Sequence, residues 1–236
     1  MPRIFLRSAA LAMAAAWTVA PALAGTFKTI TIDDAYADWT GVPVVDADPA
    51  DNFSGPDIAD TQIANDGQYL YIRNTFHNSL ALGTFLSIDV DGDTSTGFDI
   101  FSLGLLGAEA GWQNDFGFAQ ATGTFNSGGL SGDFFGGGHA LLSPFANAGS
   151  RELAISLAAL RTGGLPIFPD DTVKLLFWTD LGTGADGLPP GFPGDDGRNF
   201  DVTAVIDYKL AVPEPSAFAL TAIALIGFGL RRRGVC

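Results

Sequence analysis

Between residues 25 and 211 the chain is cut into short apolar or alternating runs, each stopped by Gly, Asp, Asn or Pro. They fall at 27–32, 62–64, 69–76, 84–90, 112–121, 152–156, 173–179 and 199–210. Runs of this kind between turn formers are strand signals, because helices need a longer apolar stripe of period 3.6. In the last run Val202, Ala204, Ile206 and Tyr208 share one face while Thr203, Asp207 and Lys209 share the other, the period of a half-buried strand. Only 157–161 carries helical marks, with Ser156 as cap and Gly163 as stop. The expected fold class is all-β, an antiparallel two-sheet β-sandwich. Two stretches, 123–150 and 182–198, are rich in Gly, Pro, Ser and Asp and read as long loops. Phe125, Phe134, Phe135 and Phe145 make the first too aromatic for plain disorder, so it should fold back on a sheet. No repeat of solenoid or propeller length is visible.

The two ends have a different character. Arg3 and Arg7 precede an apolar stretch, which ends in Pro21 and in small residues Ala22 and Ala24 spaced as a signal peptidase needs. Residues 1–24 therefore read as a secretory signal with cleavage after Ala24, and a first transmembrane helix is the weaker interpretation. At the other end Val212-Pro213-Glu214-Pro215 leads into the uncharged segment 217–230 and then Arg231, Arg232 and Arg233. Fourteen residues as a helix rise about 21 Å, short of a hydrocarbon core of about 30 Å, which suits a temporary anchor. The arginines should stay cytoplasmic, leaving everything before them outside the inner membrane. The order of these parts in 212–236 resembles the PEP-CTERM sorting signal. The resemblance implies an exosortase as partner, transient residence in the inner membrane, and delivery to the surface or extracellular matrix of a Gram-negative, exopolysaccharide-making cell. A plain C-terminal membrane anchor is the alternative.

Removing both end segments leaves 187 residues, enough for one core. Five of the 12 basic residues and one of the 26 acids leave with the ends, so the domain keeps 7 against 25, a net charge of −18. Such a domain repels nucleic acid and anionic lipid and favours cations. The single cysteine is Cys236, so the exported domain has no disulfide, no sulfur-ligated metal and no cysteine nucleophile.

Several short pieces of the domain look like the DOMON-like sandwich superfamily, which includes family nine carbohydrate-binding modules. They are Ile32-Asp33-Asp34, Asp38-Trp39-x-Gly41, Pro56-Asp57-Ile58, Ala64-Asn65-Asp66, Tyr69-Leu70-Tyr71-Ile72-Arg73, Ile88-Asp89-x-Asp91, Thr96-Gly97-Phe98, Gly107-Ala108-Glu109 and Arg151-Glu152-Leu153-Ala154-Ile155-Ser156. The resemblance implies sugar or haem binding and sometimes a structural calcium. Haem-binding members use a methionine and a histidine as axial ligands. Met1 and Met13 both leave with the signal here, and only His77 and His139 remain, so no haem is expected.

Asp89, Asp91 and Asp93, with Asp99 close behind, place several hard oxygen ligands within one turn after a strand, a pattern that suits Ca²⁺. It is not an EF-hand: counted from Asp89, position 6 is Thr94 rather than Gly and position 12 is Ile100 rather than Glu. A solvated acidic turn explains the same residues equally well. Glu109, Asp57 and Asp66 could complete a metal site only if the fold gathers them.

No nucleophile elbow, zinc-binding His-Glu-x-x-His or phosphate-cradling loop is present, and acids alone do not make a glycosidase, so the domain is not expected to be an enzyme. Carbohydrate binding is the better expectation, since aromatic faces accept pyranose rings. Of the three tryptophans after the signal, Trp39 and Trp178 read as core. Trp112, beside Gln113, Asn114 and Asp115, is the one expected to be exposed and to bind ligand. The competing expectations are a structural matrix protein without a small-molecule ligand and, less favoured, a glycan-active hydrolase.

Overall fold

The computed structural model describes residues 23–52, 55–131, 135, 139–179 and 200–213. Two antiparallel sheets face one another across the main core. The larger runs in the order Leu23–Ala24, Ile206–Lys209, Thr172–Thr179, Thr84–Asp89, Ala110–Gln113, Phe116–Ala121 and Thr124–Gly129, with Asp201–Val202 beside the end of Thr172–Thr179. The smaller runs Ala140–Ser143, Ser150–Ser156, Tyr69–Phe76, Ile58–Asn65 and Val44–Ala47. All these pairings are antiparallel except the two-residue one between Leu23–Ala24 and Tyr208–Lys209. No α-helix occurs among the described residues, only the short 3₁₀ turns Tyr36–Trp39 and Ile100–Ser102. None of their helices is long and apolar enough to cross a membrane. The expected signal helix and the span 217–230 lie outside the described residues.

Strand alternation fills the layers. Leu86, Ile88, Leu175, Phe177, Ile206 and Tyr208 from the larger sheet meet Ile63, Leu70, Ile72, Leu153 and Ile155 from the smaller, all buried. Each sheet also buries its outer face, which explains why the strands are apolar on both sides. The N-terminal segment lays Ile30, Trp39 and Val42 over Ala64, Tyr71 and Ala154. It is held there by Glu152, which is fully buried and accepts the Trp39 indole N–H at 2.8 Å and the backbone N–H groups of Asp33 and Asp34 at 2.8 Å each. On the other side, Ile100, Leu106 and Ala108 cover Phe85, Leu176 and Trp178.

Five expected stretches differ. Residues 112–121 are not one strand but most of a hairpin, Ala110–Gln113 with Phe116–Ala121, turning at Asn114 and Asp115. The stretch 123–150, expected as a long loop, carries the strands Thr124–Gly129 and Ala140–Ser143. Residues 27–32 form one isolated bridge, Phe27 to Asn65, instead of a strand. Residues 157–161 are not helical: Ala158 N–H reaches the Ser156 hydroxyl at 3.2 Å, and the chain turns at once into a two-residue ladder, Leu160–Arg161 with Leu165–Pro166. The run 199–210 is two strands rather than one. Thr203 breaks it, accepting Phe177 N–H on its hydroxyl at 2.9 Å, and the break reverses the alternation. Val202 therefore joins the outer cluster while Ile206 and Tyr208 join the central core.

Candidate functional site

The register of Thr84–Asp89 against Thr172–Thr179 pairs Phe85 with Trp178 on the outer face, because their neighbours Leu86 and Phe177 point inward. The two rings stack, 4.1 Å apart and 13° from parallel. Phe101 stands edge-on to Trp178 at 5.3 Å and stacks on Phe200 at 4.4 Å. Phe125, from the Thr124–Gly129 strand, meets Trp178 at 5.6 Å and Phe98 at 5.2 Å. Trp178 and Phe85 are buried, whereas Phe98 and Phe101 are half-buried and Phe125 is 39% exposed. Phe101 and Ser102 both have positive φ, +51° and +57°, a left-handed conformation that non-glycine residues adopt at a cost. That strain turns Ile100–Leu103 over the sheet and holds Phe101 at the lip of an open groove of 540 Å³. The groove is lined by Phe98 and Phe101 and by the polar side chains of Thr94, Ser95, Asp99, Ser102 and Thr122. An apolar floor with a polar rim at this volume is the form of a small-molecule site.

The acidic turn forms one wall of the groove. Ligand oxygens of Asp89, Asp91 and Glu109 lie within 4.8 Å of one another. Asp89 and Glu109 are buried and Asp91 is exposed. Asp89 accepts Gly92 N–H at 2.6 Å, and Glu109 accepts Val90 N–H at 2.8 Å. The Thr96 hydroxyl sits 2.8 Å from Glu109 and 3.1 Å from Asp91. Burial raises the Asp89 and Glu109 carboxyls above their ordinary range, and Asp91 next to each adds to it. Gly97 has φ +66°, and a Cβ there would come within 2.3 Å of the Ala108 carbonyl oxygen, so only glycine lets this turn close on the strand behind it.

Of the residues expected to hold metal, Asp89 and Asp91 are brought together and Asp93 is not among the group. Asp93 instead accepts the N–H and hydroxyl of Ser95, which hold its carboxyl below the usual range and make it part of the turn's own scaffolding. Asp99 accepts Gly104 N–H at 2.8 Å. Asp66 is taken up by Gln68, Tyr69, Tyr71 and Thr29, and Asp57 by Asp51 N–H. Glu109, rather than Asp93, is the third acid of the group.

Trp112 is 1% exposed and packs in the central core, correcting the expectation that it faces solvent. It pairs with Leu86 across the ladder and shares its inward face, and the polar Asn114 and Asp115 after it are the tip of a hairpin. Trp39 and Trp178 are core residues as expected, the latter donating its indole N–H to Ser87 at 2.9 Å. His77 and His139 each bond a backbone carbonyl, of Asp48 and Leu130. Val212 is exposed, and Pro213 ends the described tail. Ala22, Glu214, Pro215 and Arg231–Arg233 lie outside the described residues.

Residues 211–233 match the PEP-CTERM protein-sorting motif, so the chain carries that sorting signal. No curated protein matches the sequence. Among solved structures the domain resembles a family 9 carbohydrate-binding module from Caldicellulosiruptor kristjanssonii in complex with glucose. The two share 10% identity over 83% of this chain and 100% of the module, with a TM-score of 0.42. The same organism's family 9 module in complex with cellotriose gives 10% identity over 84% and 97%, with a TM-score of 0.41.

Proposed function

We propose that the chain is a non-catalytic carbohydrate-binding protein. In this reading it is exported, held in the inner membrane by its tail, processed by an exosortase and left at the cell surface or in an exopolysaccharide matrix. The carrying observation is the groove of Phe98 and Phe101, with Phe125 beside them and hydroxyls around them. Half-exposed rings give a pyranose a flat apolar face, and the Thr and Ser hydroxyls with Asp99 match its own hydroxyls in donor and acceptor character. The sorting motif supports the destination, where polysaccharide is the abundant ligand. Asp99 is the one carboxylate lining the groove among the described residues, and glycoside hydrolysis ordinarily needs a pair, which supports binding without turnover. A Ca²⁺ on Asp89, Asp91 and Glu109 would serve this reading by fixing the turn that supplies Thr94 and Ser95.

The test is saturable binding of the purified full chain to the producing cell's own exopolysaccharide and to a glycan array. Phe125→Ala removes an exposed ring without opening the central core and should weaken binding about tenfold, the worth of one aromatic contact. Absence of saturable binding to any glycan would leave a purely structural matrix protein as the better description. Binding unchanged in both Phe125→Ala and Phe98→Ala would move the site elsewhere.

A further inference from the structure

At the end of the sandwich opposite the acidic turn, the loop from Asp48 to Asp57 crosses between the Val44–Ala47 and Ile58–Asn65 strands. Asp48 opens it with its N–H on the Ala59 carbonyl at 2.7 Å. Asp201 comes from the other sheet, where the register sets it opposite Thr179. Asp48 is 6% exposed and Asp201 fully buried. Asp201 spends one carboxylate oxygen on Ile58 N–H at 2.7 Å; its other oxygen and both oxygens of Asp48 are buried and meet no N–H or hydroxyl donor among the described residues, the one hydrogen bond open to them being from the Asp48 carboxyl to Asp201. Among the described residues no lysine or arginine pairs with Asp48 or Asp201.

We infer that Asp48, Asp51 and Asp201 form a buried site for a hard divalent cation of the calcium class, separate from the acidic turn. Oxygens of all three lie within 4.8 Å of one another. Three oxygens at most 4.8 Å apart lie no more than about 2.8 Å from a common centre, so one Ca²⁺ at 2.3–2.6 Å reaches all three with an adjustment of at most a few tenths of an ångström. Buried carboxylates are ordinarily paired or hydrogen-bonded, and the orphaned oxygens converge where a cation would satisfy them. Without a cation, burial together with the neighbouring Asp201, Asp46 and Asp51 pushes the Asp48 carboxyl well above its usual range, and burial pushes Asp201 up as well. The oxygen-only donor set excludes soft metals and suits Ca²⁺ over Zn²⁺ or Cu²⁺. An ion here joins the loop of the smaller sheet to a strand of the larger, a cross-link that a cysteine-free domain cannot make by disulfide.

The Asp91→Ala background isolates this site from the acidic turn. The full chain of that variant, stripped with EDTA and dialysed against Ca²⁺, should retain one tightly held Ca²⁺ per chain by atomic emission. Adding Asp48→Asn should abolish the retained ion. Either no Ca²⁺ retained by Asp91→Ala, or the same ion count with Asp48→Asn added, overturns the inference. The first of these decides even if the double variant fails to fold, and neither bears on glycan binding.

Discussion

Glu152 has no aqueous neighbour, so three donors depend on one carboxylate: the Trp39 indole and the backbone N–H groups of Asp33 and Asp34. Glu152→Ala would leave all three to be satisfied by nothing and would loosen the N-terminal cover from the sheet. A loss of about 3–5 kcal/mol is expected, read as a shift of the urea midpoint. Glu152→Gln should cost less than Glu152→Ala, because the amide oxygen still accepts the Asp33 and Asp34 N–H groups, and the remaining cost is the NH₂ set against the Trp39 indole N–H, donor to donor. Residue by residue, the sequence disclosed burial better than direction. Trp39 and Trp178 were recognisable as core from their apolar or Gly-bounded surroundings. Trp112 reads as exposed because polar residues follow it, yet these belong to a tight hairpin, and Asn114 at φ +54° is the turn itself. The grouping of Phe98, Phe101 and Phe125 is not legible in the sequence, because they lie on separate segments and meet only through the sheet.

The acidic turn shows the same limit for an element. Its aspartates are adjacent in sequence, and their concentration after a strand was legible. Glu109 is only a conditional partner in the sequence, because it arrives through the ladder: its N–H bonds the Ile88 carbonyl at 3.1 Å, next to the Ile88–Ala110 pair. Asp93, the more obvious ligand by spacing, is consumed by Ser95. If Ca²⁺ binds here, adding it to the EDTA-treated full chain should raise the melting midpoint by several degrees, and Asp91→Ala should remove the part of that rise due to the turn. No difference between wild type and Asp91→Ala would leave the turn as a hydrogen-bonded scaffold. The strands of the two sheets were largely visible as apolar runs, whereas the break at Thr203 was not. A period-2 pattern continues through 202–208, and only the Phe177 backbone pairing reveals that its two halves face different cores.

For the whole molecule, the two chain ends leave side by side. Thr26 N–H bonds the Tyr208 hydroxyl at 3.0 Å, and the Asn65 side chain grips Ala211 at both its N–H, 2.8 Å, and its carbonyl, 2.9 Å. The antiparallel register sets Asp89 opposite Lys174 and Lys209 opposite Thr172, so the acidic turn lies at this same end, while Asp48 and Asp201 lie at the far one and the groove spans the outer face between, with Phe101 on Trp178 and Phe200. Entry to and exit from the described domain thus share one corner, so a pull on either is borne first by the short pairing of Leu23–Ala24 with Tyr208–Lys209 and by the Asn65 grip on Ala211, and the opposite end of the sandwich carries no load from either.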